Sequence, residues 1–319
     1  MEAHPPYRIV VAEPFDPDAI ARLQAIGQVD ILADSSPQTI LAAMPEADAL
    51  LVRNKAHVTA RIIEAAGRLK VIGRAASNID HIDLRAAGRR NIPVVFAPHM
   101  AVTSTAEFTL AMILAMQRKL PAFDRQIRMG QFEALRTPAG RELAHETIAF
   151  LGIDPIAERL GRILHAAFSS RIVFHDPAGK TPVEFPAEAL GLDELLAAAD
   201  ILVIHLPMSP ATKRLMDAER IAKLRPTAIL VNASRGGVVD TVALAQALQT
   251  RRLAGAALDV FEVEPLPMDH PIRRAPNCLL TPHVSAATID AASSRFQVTD
   301  DVIRVLSGHS PLYAADSGA

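Results

Sequence analysis

Gly152, Asp154, Ala157 and Asp176 are spaced as a tight backbone turn followed by a distant carboxylate. An apolar run, Thr147 to Leu151, leads into Gly152-Ile153-Asp154-Pro155-Ile156-Ala157. A helical stretch through Leu160, Ile163 and Leu164 comes next, and a second apolar run, Ile172 to Phe174, ends at His175-Asp176. Strand, turn, helix, and strand closed by an acid is the form in which a helix N-terminus meets a pyrophosphate and a carboxylate meets a ribose. Asp176 lies 24 positions after Gly152, near the spacing a ribose-binding acid needs. The pattern G-x-G-x-x-G/A is met at Gly152 and Ala157, but Asp154 stands in place of the middle glycine. That adds a Cβ and a negative charge where backbone should approach phosphate. Asp followed by Pro155 is also a strong helix start, so the turn is expected to cap itself with the amides a pyrophosphate would use. Two unit charges ~4 Å apart at an effective dielectric of ~20 repel by roughly 4 kcal/mol. After solvent and side-chain rotation, a net loss of ~1–3 kcal/mol predicts about ten- to hundredfold weaker binding.

Three further side chains suit proton transfer beside an anion. Arg235 carries a planar fork that grips carboxylate and carbonyl oxygens. His283 can donate a proton near neutral pH. Glu264 can hold that ring in one tautomer and favour its protonated form. The acid and the imidazole are 19 positions apart, so they come from different loops and must pair in space. Taken singly, each has a plainer role: a surface ion-pair arginine, a turn acid before Pro265, a capped core histidine.

The elements that must position these groups are legible as alternating short apolar runs and helical stretches. Strands are expected at residues 8–12, 29–32, 49–52, 71–73 and 92–95, with helices at 18–26, 39–44 and 60–66 between them. A long helix, Thr103 to Arg118, is apolar on most of its circumference and is expected to be buried between domains or subunits. Residues 119–146, with Pro121, Gly130, Pro138 and Gly140, read as short pieces and loops. From Thr147 the alternation resumes, with strands ending at Asp176, His205, Asn232 and Asp259 and another at 278–280. A final helix spans 288–306, and the tail after Ser307 is expected to be loosely held. The fold class is α/β with two doubly wound parallel sheets. In such sheets ligands bind beyond the carboxyl ends of the strands, so four polar strand endings point to a lined edge. Singly, each is a helix cap or turn former.

Composition narrows the function classes. The chain has 319 residues, is 50% hydrophobic and carries a formal charge of −2, enough for one large domain or two ordinary ones. A pI near 6.6 gives no electrostatic reason to expect nucleic acid or an anionic membrane. Cys278 is the one cysteine, so no intrachain disulfide forms, which fits a reducing, cytoplasmic setting. Met1 to Pro6 lacks the basic start and apolar core of a signal peptide, and no apolar run approaches the ~20 residues of a membrane span.

At Val231-Asn232-Ala233-Ser234-Arg235-Gly236-Gly237-Val238-Val239-Asp240, Ala257-Leu258-Asp259-Val260-Phe261-Glu262-Val263-Glu264-Pro265 and Leu280-Thr281-Pro282-His283 the chain resembles the D-isomer-specific 2-hydroxyacid dehydrogenases. Leu51-Val52-Arg53 and Asp80-His81-Ile82-Asp83 extend the likeness over nearly the whole length. It is most similar to the short phosphoglycerate dehydrogenase and glyoxylate/hydroxypyruvate reductase branch; Glu264 argues against formate dehydrogenase, which has glutamine there. The resemblance implies a Rossmann-type cofactor domain at 99–286 inserted in a flavodoxin-like substrate domain, 1–98 with 287–319. It implies a homodimer joined through helix 103–118, NAD rather than NADP, and no metal. It makes Arg235, Glu264 and His283 the catalytic trio for reducing a small 2-keto acid. Substrate contacts fall on Arg53, Ser77, Asn78 and Arg235. Cofactor contacts fall on Ser77, Gly152, Asp154, Pro155, Ile156, Asp176, Leu206, Ala233, Ser234, Arg235, Asp259, His283, Val284, Ser285 and Ala286, with Asp259 orienting the nicotinamide carboxamide. Asn78 stands where the family usually has glycine; asparagine tolerates left-handed backbone, though its side chain narrows the pocket. Asp176 should repel a 2′-phosphate, and Lys180 blurs that preference. Asp154, Pro155 and Asn78 leave a second expectation open: a non-catalytic member that kept the fold as a ligand sensor.

Overall fold

The computed structural model describes residues 7–53, 55–76, 79–98, 100–132, 140–179, 183–289, 291 and 296–316. Ser77, Asn78, Lys180 and the N-terminal residues 1–6 lie outside them. The chain divides into two compact units, residues 1–101 with 288–319, and residues 102–287.

The first unit runs β1 (Tyr7–Val11), α1 (Pro17–Gln24), β2 (Gly27–Ile31), α2 (Pro37–Ala43), β3 (Ala49–Val52), α3 (Ala60–Ala65), β4 (Val71–Arg74), α4 (Leu84–Arg89) and β5 (Val94–Phe96). The strands form a parallel sheet in the order β2-β1-β3-β4-β5, the flavodoxin-like order. Strand residues alternate between two apolar clusters: Val10, Leu50 and Ile72 face one layer, and Ile9, Leu51 and Val71 the other. Helix starts follow the caps in the sequence, as where Asp16 and Ser36 accept backbone N–H groups ahead of Pro17 and Pro37. A C-terminal helix, Phe296–Leu306, packs against β4 so closely that a Cβ on Gly73 would stand 2.7 Å from Val302.

The expectation of a loose tail is corrected for residues 312–315. The buried Asp301 carboxylate accepts the Leu312 and Tyr313 amides at 2.7 and 2.9 Å. The Phe96 amide donates to Tyr313 O and the Ala315 amide to Val94 O, giving an antiparallel bridge on β5. Backbone partners and a buried acid hold the segment where composition suggested freedom.

The second unit begins with α5 (Val102–Gln117) and α6 (Leu120–Arg128). Helix α6 is the longest of the short pieces expected over 119–146 that the structure describes. Pro121 falls in its first turn, where a missing N–H costs nothing, and Gly130 at φ 76° follows its end. The unit continues β6 (Thr147–Leu151), α7 (Pro155–Phe168), β7 (Arg171–His175), β8 (Glu188–Ala189), α8 (Leu192–Ala198), β9 (Ile201–Ile204), α9 (Ala218–Lys223), β10 (Ile229–Asn232), α10 (Thr241–Gln249), β11 (Gly255–Leu258) and β12 (Cys278–Leu280). Its seven-stranded sheet has the order β12-β11-β10-β9-β6-β7-β8 and is parallel throughout. The connection reverses between β6 and β9, the crevice where dinucleotides bind in this topology. Helix α5 packs on α7 across one face of the sheet, with Ala106, Met112 and Ile113 in the same core as Phe150 and Leu160. Among the described residues no helix is long and apolar enough to cross a membrane, and no group of three or more His, Cys, Asp or Glu is placed to hold a metal ion.

Candidate active site

Adjacent strands β10, β11 and β12 deliver Arg235, Glu264 and His283 from loops at their carboxyl ends. Asn232, fully buried, folds the first loop back on itself. Its Oδ1 accepts the Ser234 amide and hydroxyl at 3.1 and 3.0 Å, and its Nδ2 donates to Arg235 O at 3.0 Å. The Arg235 guanidinium donates to Ser234 O at 2.8 Å. Gly236 then packs on the second loop, where a Cβ would come 2.0 Å from the Phe261 carbonyl. In that second loop the Phe261 amide donates to Glu264 Oε1 at 3.0 Å. The other oxygen, Oε2, accepts from His283 Nδ1 at 2.7 Å. The carboxylate therefore keeps a proton on Nδ1 and leaves Nε2 as the atom that takes up or gives away the second one. Both side chains are solvent-accessible, at 53% and 37%, so His283 is not the capped core residue of the plainer reading.

Asp259 is placed differently from a residue that only faces a ligand. It is fully buried, and its carboxylate holds the His283 loop from beneath. Oδ1 accepts the Thr281 hydroxyl at 2.6 Å and the Val284 amide at 2.9 Å, and Oδ2 accepts the Ser285 amide at 2.9 Å. Two of the polar strand endings, Asn232 and Asp259, thus act through Arg235 and His283. Thr281 stood in a recognised motif, yet its type alone did not signal this bond.

The turn after β6 opens on a backbone position that only glycine can fill. Gly152 sits at φ 92°, and a Cβ there would come 2.2 Å from His205 O, so no other residue fits. Asp154 is the N-cap of α7, and its Oδ1 accepts the Ala157 amide at 2.8 Å, the self-capping expected of Asp before Pro. Burial opposes its ionisation, but His205 alongside and the Ala157 and Ile156 amides outweigh it and hold the Asp154 carboxyl below the usual carboxylate range. His205 is the unforeseen member of the turn: Nδ1 lies 3.3 Å from Asp154 Oδ1 and the side chain is 0% exposed. Its place at the end of a strand is legible in the sequence, but no local signal pairs it with a residue 51 positions earlier. Asp176 closes β7 and ties the turn down, accepting Ile153 N at 3.3 Å and Ala178 N at 2.8 Å. Leu206, Ala233, Ser234 and Ser285 are buried along the same sheet edge, while Pro155 and Ala286 are exposed and Ile156 and Val284 half-buried. The glycine turn, the start of α7 and the acid after β7 fit an adenosine diphosphate; the Ala157 amide is the donor already committed.

Arg53 belongs to the first unit. The buried Glu13 carboxylate gathers its loop, accepting Arg53 N at 2.8 Å, Lys55 N at 3.0 Å and Ala56 N at 3.1 Å, and Arg53 Nη1 donates to Pro14 O at 2.8 Å. A cavity of about 440 Å³ lies at the opposite, amino-terminal ends of the second unit's strands, beside Glu146, Asp200, Gly255 and Asn277, away from the trio. Desolvation raises the Glu146 pKa there, and burial pushes the Cys278 thiol up to about 12.

Residues 110–285 match the sequence model described as the NAD binding domain of D-isomer specific 2-hydroxyacid dehydrogenase. A D-3-phosphoglycerate dehydrogenase of Methanocaldococcus jannaschii is 35% identical over 94% of this chain and 58% of its own length. A glyoxylate reductase of Thermofilum pendens is 38% identical over 86% of this chain and 83% of its own. The chain spans little more than half the length of the curated phosphoglycerate dehydrogenases it matches. In structure it is similar, with TM-score 0.85 and 25% identity over 98% of this chain and 97% of the other, to an NADPH-dependent glyoxylate/hydroxypyruvate reductase of Sinorhizobium meliloti in complex with NADP and malonate. On these matches, and on two parallel-sheet units bearing its motifs, the chain belongs to the D-isomer specific 2-hydroxyacid dehydrogenase family.

Proposed function

We propose that this protein is an oxidoreductase that transfers a hydride between a nicotinamide dinucleotide and a small D-2-hydroxy acid or its 2-keto acid, of the phosphoglycerate, glycerate, glyoxylate or hydroxypyruvate type. The observation that carries this reading is the 2.7 Å bond between His283 Nδ1 and Glu264 Oε2, on the sheet edge that also bears Arg235. The dinucleotide, when bound, supplies the hydride. Arg235 holds the substrate carboxylate and polarises its carbonyl. His283 gives the proton on Nε2 to the oxygen that becomes the hydroxyl, and Glu264 stabilises the ring's charge beforehand. The reverse direction uses the same atoms, with His283 as base.

Asp176 supports NAD over NADP by placing a negative charge where a 2′-phosphate would sit. The NADP-bound structural relative makes that preference one to measure. Gly152, Asp154, Pro155, Ile156, Leu206, Ala233, Ser234, Asp259, Val284, Ser285 and Ala286 line the dinucleotide in this reading. Arg53, Ser77 and Asn78 belong to the substrate side. The boundaries follow as a substrate domain, 1–98 with 287–319, and a cofactor domain, 99–286. The apolar helix α5 and the exposed Leu120, Ile127, Met129 and Phe132 around α6 support a homodimer. The single cysteine supports a cytoplasmic setting, and the charge balance supports neither nucleic acid nor membrane as partner.

Fluorescence titration with NADH and NADPH, then a panel of 2-keto acids at saturating cofactor, tests the proposal. Reduction of none of them would leave the second reading, a dinucleotide-binding sensor.

A further inference from the structure

The sheet reversal pairs Leu151 of β6 with Ile204 of β9, so the residues just beyond them, Gly152 and His205, are forced into contact. The His205 ring lies against Phe150, centroids 6.2 Å apart, and is sealed from solvent. Neither ring nitrogen makes a hydrogen bond, a costly state for a buried imidazole. The charged group it meets is the Asp154 carboxylate, 3.3 Å from Nδ1. That carboxylate replaces the glycine expected in the turn, at the N-terminus of a 14-residue helix. Its contacts to the Ala157 amide and to His205 both use Oδ1. A lone carboxylate would repel phosphate; a carboxylate held against an imidazole need not.

We propose that His205 is the counter-charge of Asp154, so that the two act as one near-neutral unit beneath the cofactor's phosphates and His205 governs dinucleotide affinity through that carboxylate. The proposal rests on the dinucleotide reading of the turn and modifies its cost. The repulsion expected from sequence for a free Asp154 is largely cancelled in the folded chain. His205 is then a positioning and charge-balancing residue that touches no reacting atom. A merely structural role, filling space between β6 and β9, would make its loss equally harmful with or without the carboxylate.

The test is a double-mutant cycle on the full chain, His205→Gln and Asp154→Asn, with NADH, ADP-ribose and adenosine as titrants. Asparagine keeps the capping oxygen and removes the charge. His205→Gln should weaken NADH and ADP-ribose by about tenfold or more while shifting adenosine, which carries no phosphate, by less than about fivefold. Asp154→Asn alone should shift ADP-ribose by less than about fivefold, and the double variant should return to within about fivefold of the unmutated chain. Equal weakening by His205→Gln in both backgrounds would overturn the proposal. So would tightening of about fivefold or more by Asp154→Asn, because an uncompensated carboxylate would have been relieved. Should His205→Gln fail to fold, the Asp154→Asn arm decides alone on the same threshold. If the unmutated chain binds adenosine, ADP-ribose and NADH not at all, the dinucleotide reading itself is lost, and this proposal with it.

Discussion

The Thr281 hydroxyl donates to Asp259 Oδ1 at 2.6 Å, two residues before His283. With the Val284 and Ser285 amides on the same carboxylate, this bond sets how the His283 loop leaves β12. Thr281→Val removes the donor while keeping the side chain's shape. It should lower kcat by about tenfold with NADH affinity nearly unchanged, a smaller loss than the ~10²-fold of a full 1 Å misplacement because two amides still hold the loop. Thr281→Ser keeps the hydroxyl and should restore the rate. Steady-state kinetics beside an NADH titration checks this; serine and valine behaving alike would sink it.

His283 and Glu264 predict a separable loss. His283→Ala removes the proton donor and should reduce turnover by about 10²–10⁴-fold. In the proposed function the cofactor is held mainly at the glycine turn and Asp176, so NADH should still bind within about threefold. Glu264→Gln keeps a hydrogen-bond acceptor for Nδ1 but loses the charge that steadies an imidazolium, so its fall in kcat should be smaller. A Glu264→Gln loss as deep as that of His283→Ala would mean the acid does more than orient the ring.

What the sequence disclosed and what it hid follow from range. All but one of the strands of the two sheets are short apolar runs bounded by polar residues, and periodicity finds them. The trio sits in three contiguous motifs, each legible alone. The hidden parts are weak local patterns or pairings at long separation. Helix α4 has one turn and a half with Gly88 inside it, and β8 has two residues. Helix α6 opens on Pro121, which reads as a breaker until its position in the first turn is known. Asp301 gripping residues 312 and 313, and His205 meeting Asp154, are contacts between sidechains and segments that no local window contains.

Gly236 couples two motifs that the sequence shows only as neighbours in order. Its missing Cβ lets the Arg235 loop lie on the Phe261 backbone, just before Glu264. Gly236→Ala places a methyl 2.0 Å from the Phe261 carbonyl, and backbone on both sides must move. A displacement of about 1 Å between Arg235 and the Glu264–His283 pair should reduce kcat/KM by about 10²-fold. The neighbouring Gly237 meets only the flexible end of Met208, so Gly237→Ala should cost far less. Assays of the two alanine variants side by side, with thermal unfolding as a fold control, separate the cases. Equal losses would refute the coupling.

Glu13 predicts an effect on the keto acid without one on the cofactor. Its buried carboxylate gathers three backbone amides of the loop that begins at Arg53, beyond the point where the five-stranded sheet reverses between β1 and β3. Glu13→Ala leaves those amides unsatisfied, a cost of ~1–3 kcal/mol that should lower Tm by about 3–10 °C. Glu13→Gln keeps the shape with one acceptor fewer and should lie between. If Arg53 grips the substrate, the loosened loop should raise KM for the 2-keto acid by about fivefold or more while NADH affinity holds, because the glycine turn belongs to the other unit. Thermal unfolding, NADH titration and keto-acid kinetics on both variants give the answer. A parallel loss of NADH and keto-acid affinity would show that Glu13 supports the whole chain rather than the Arg53 loop.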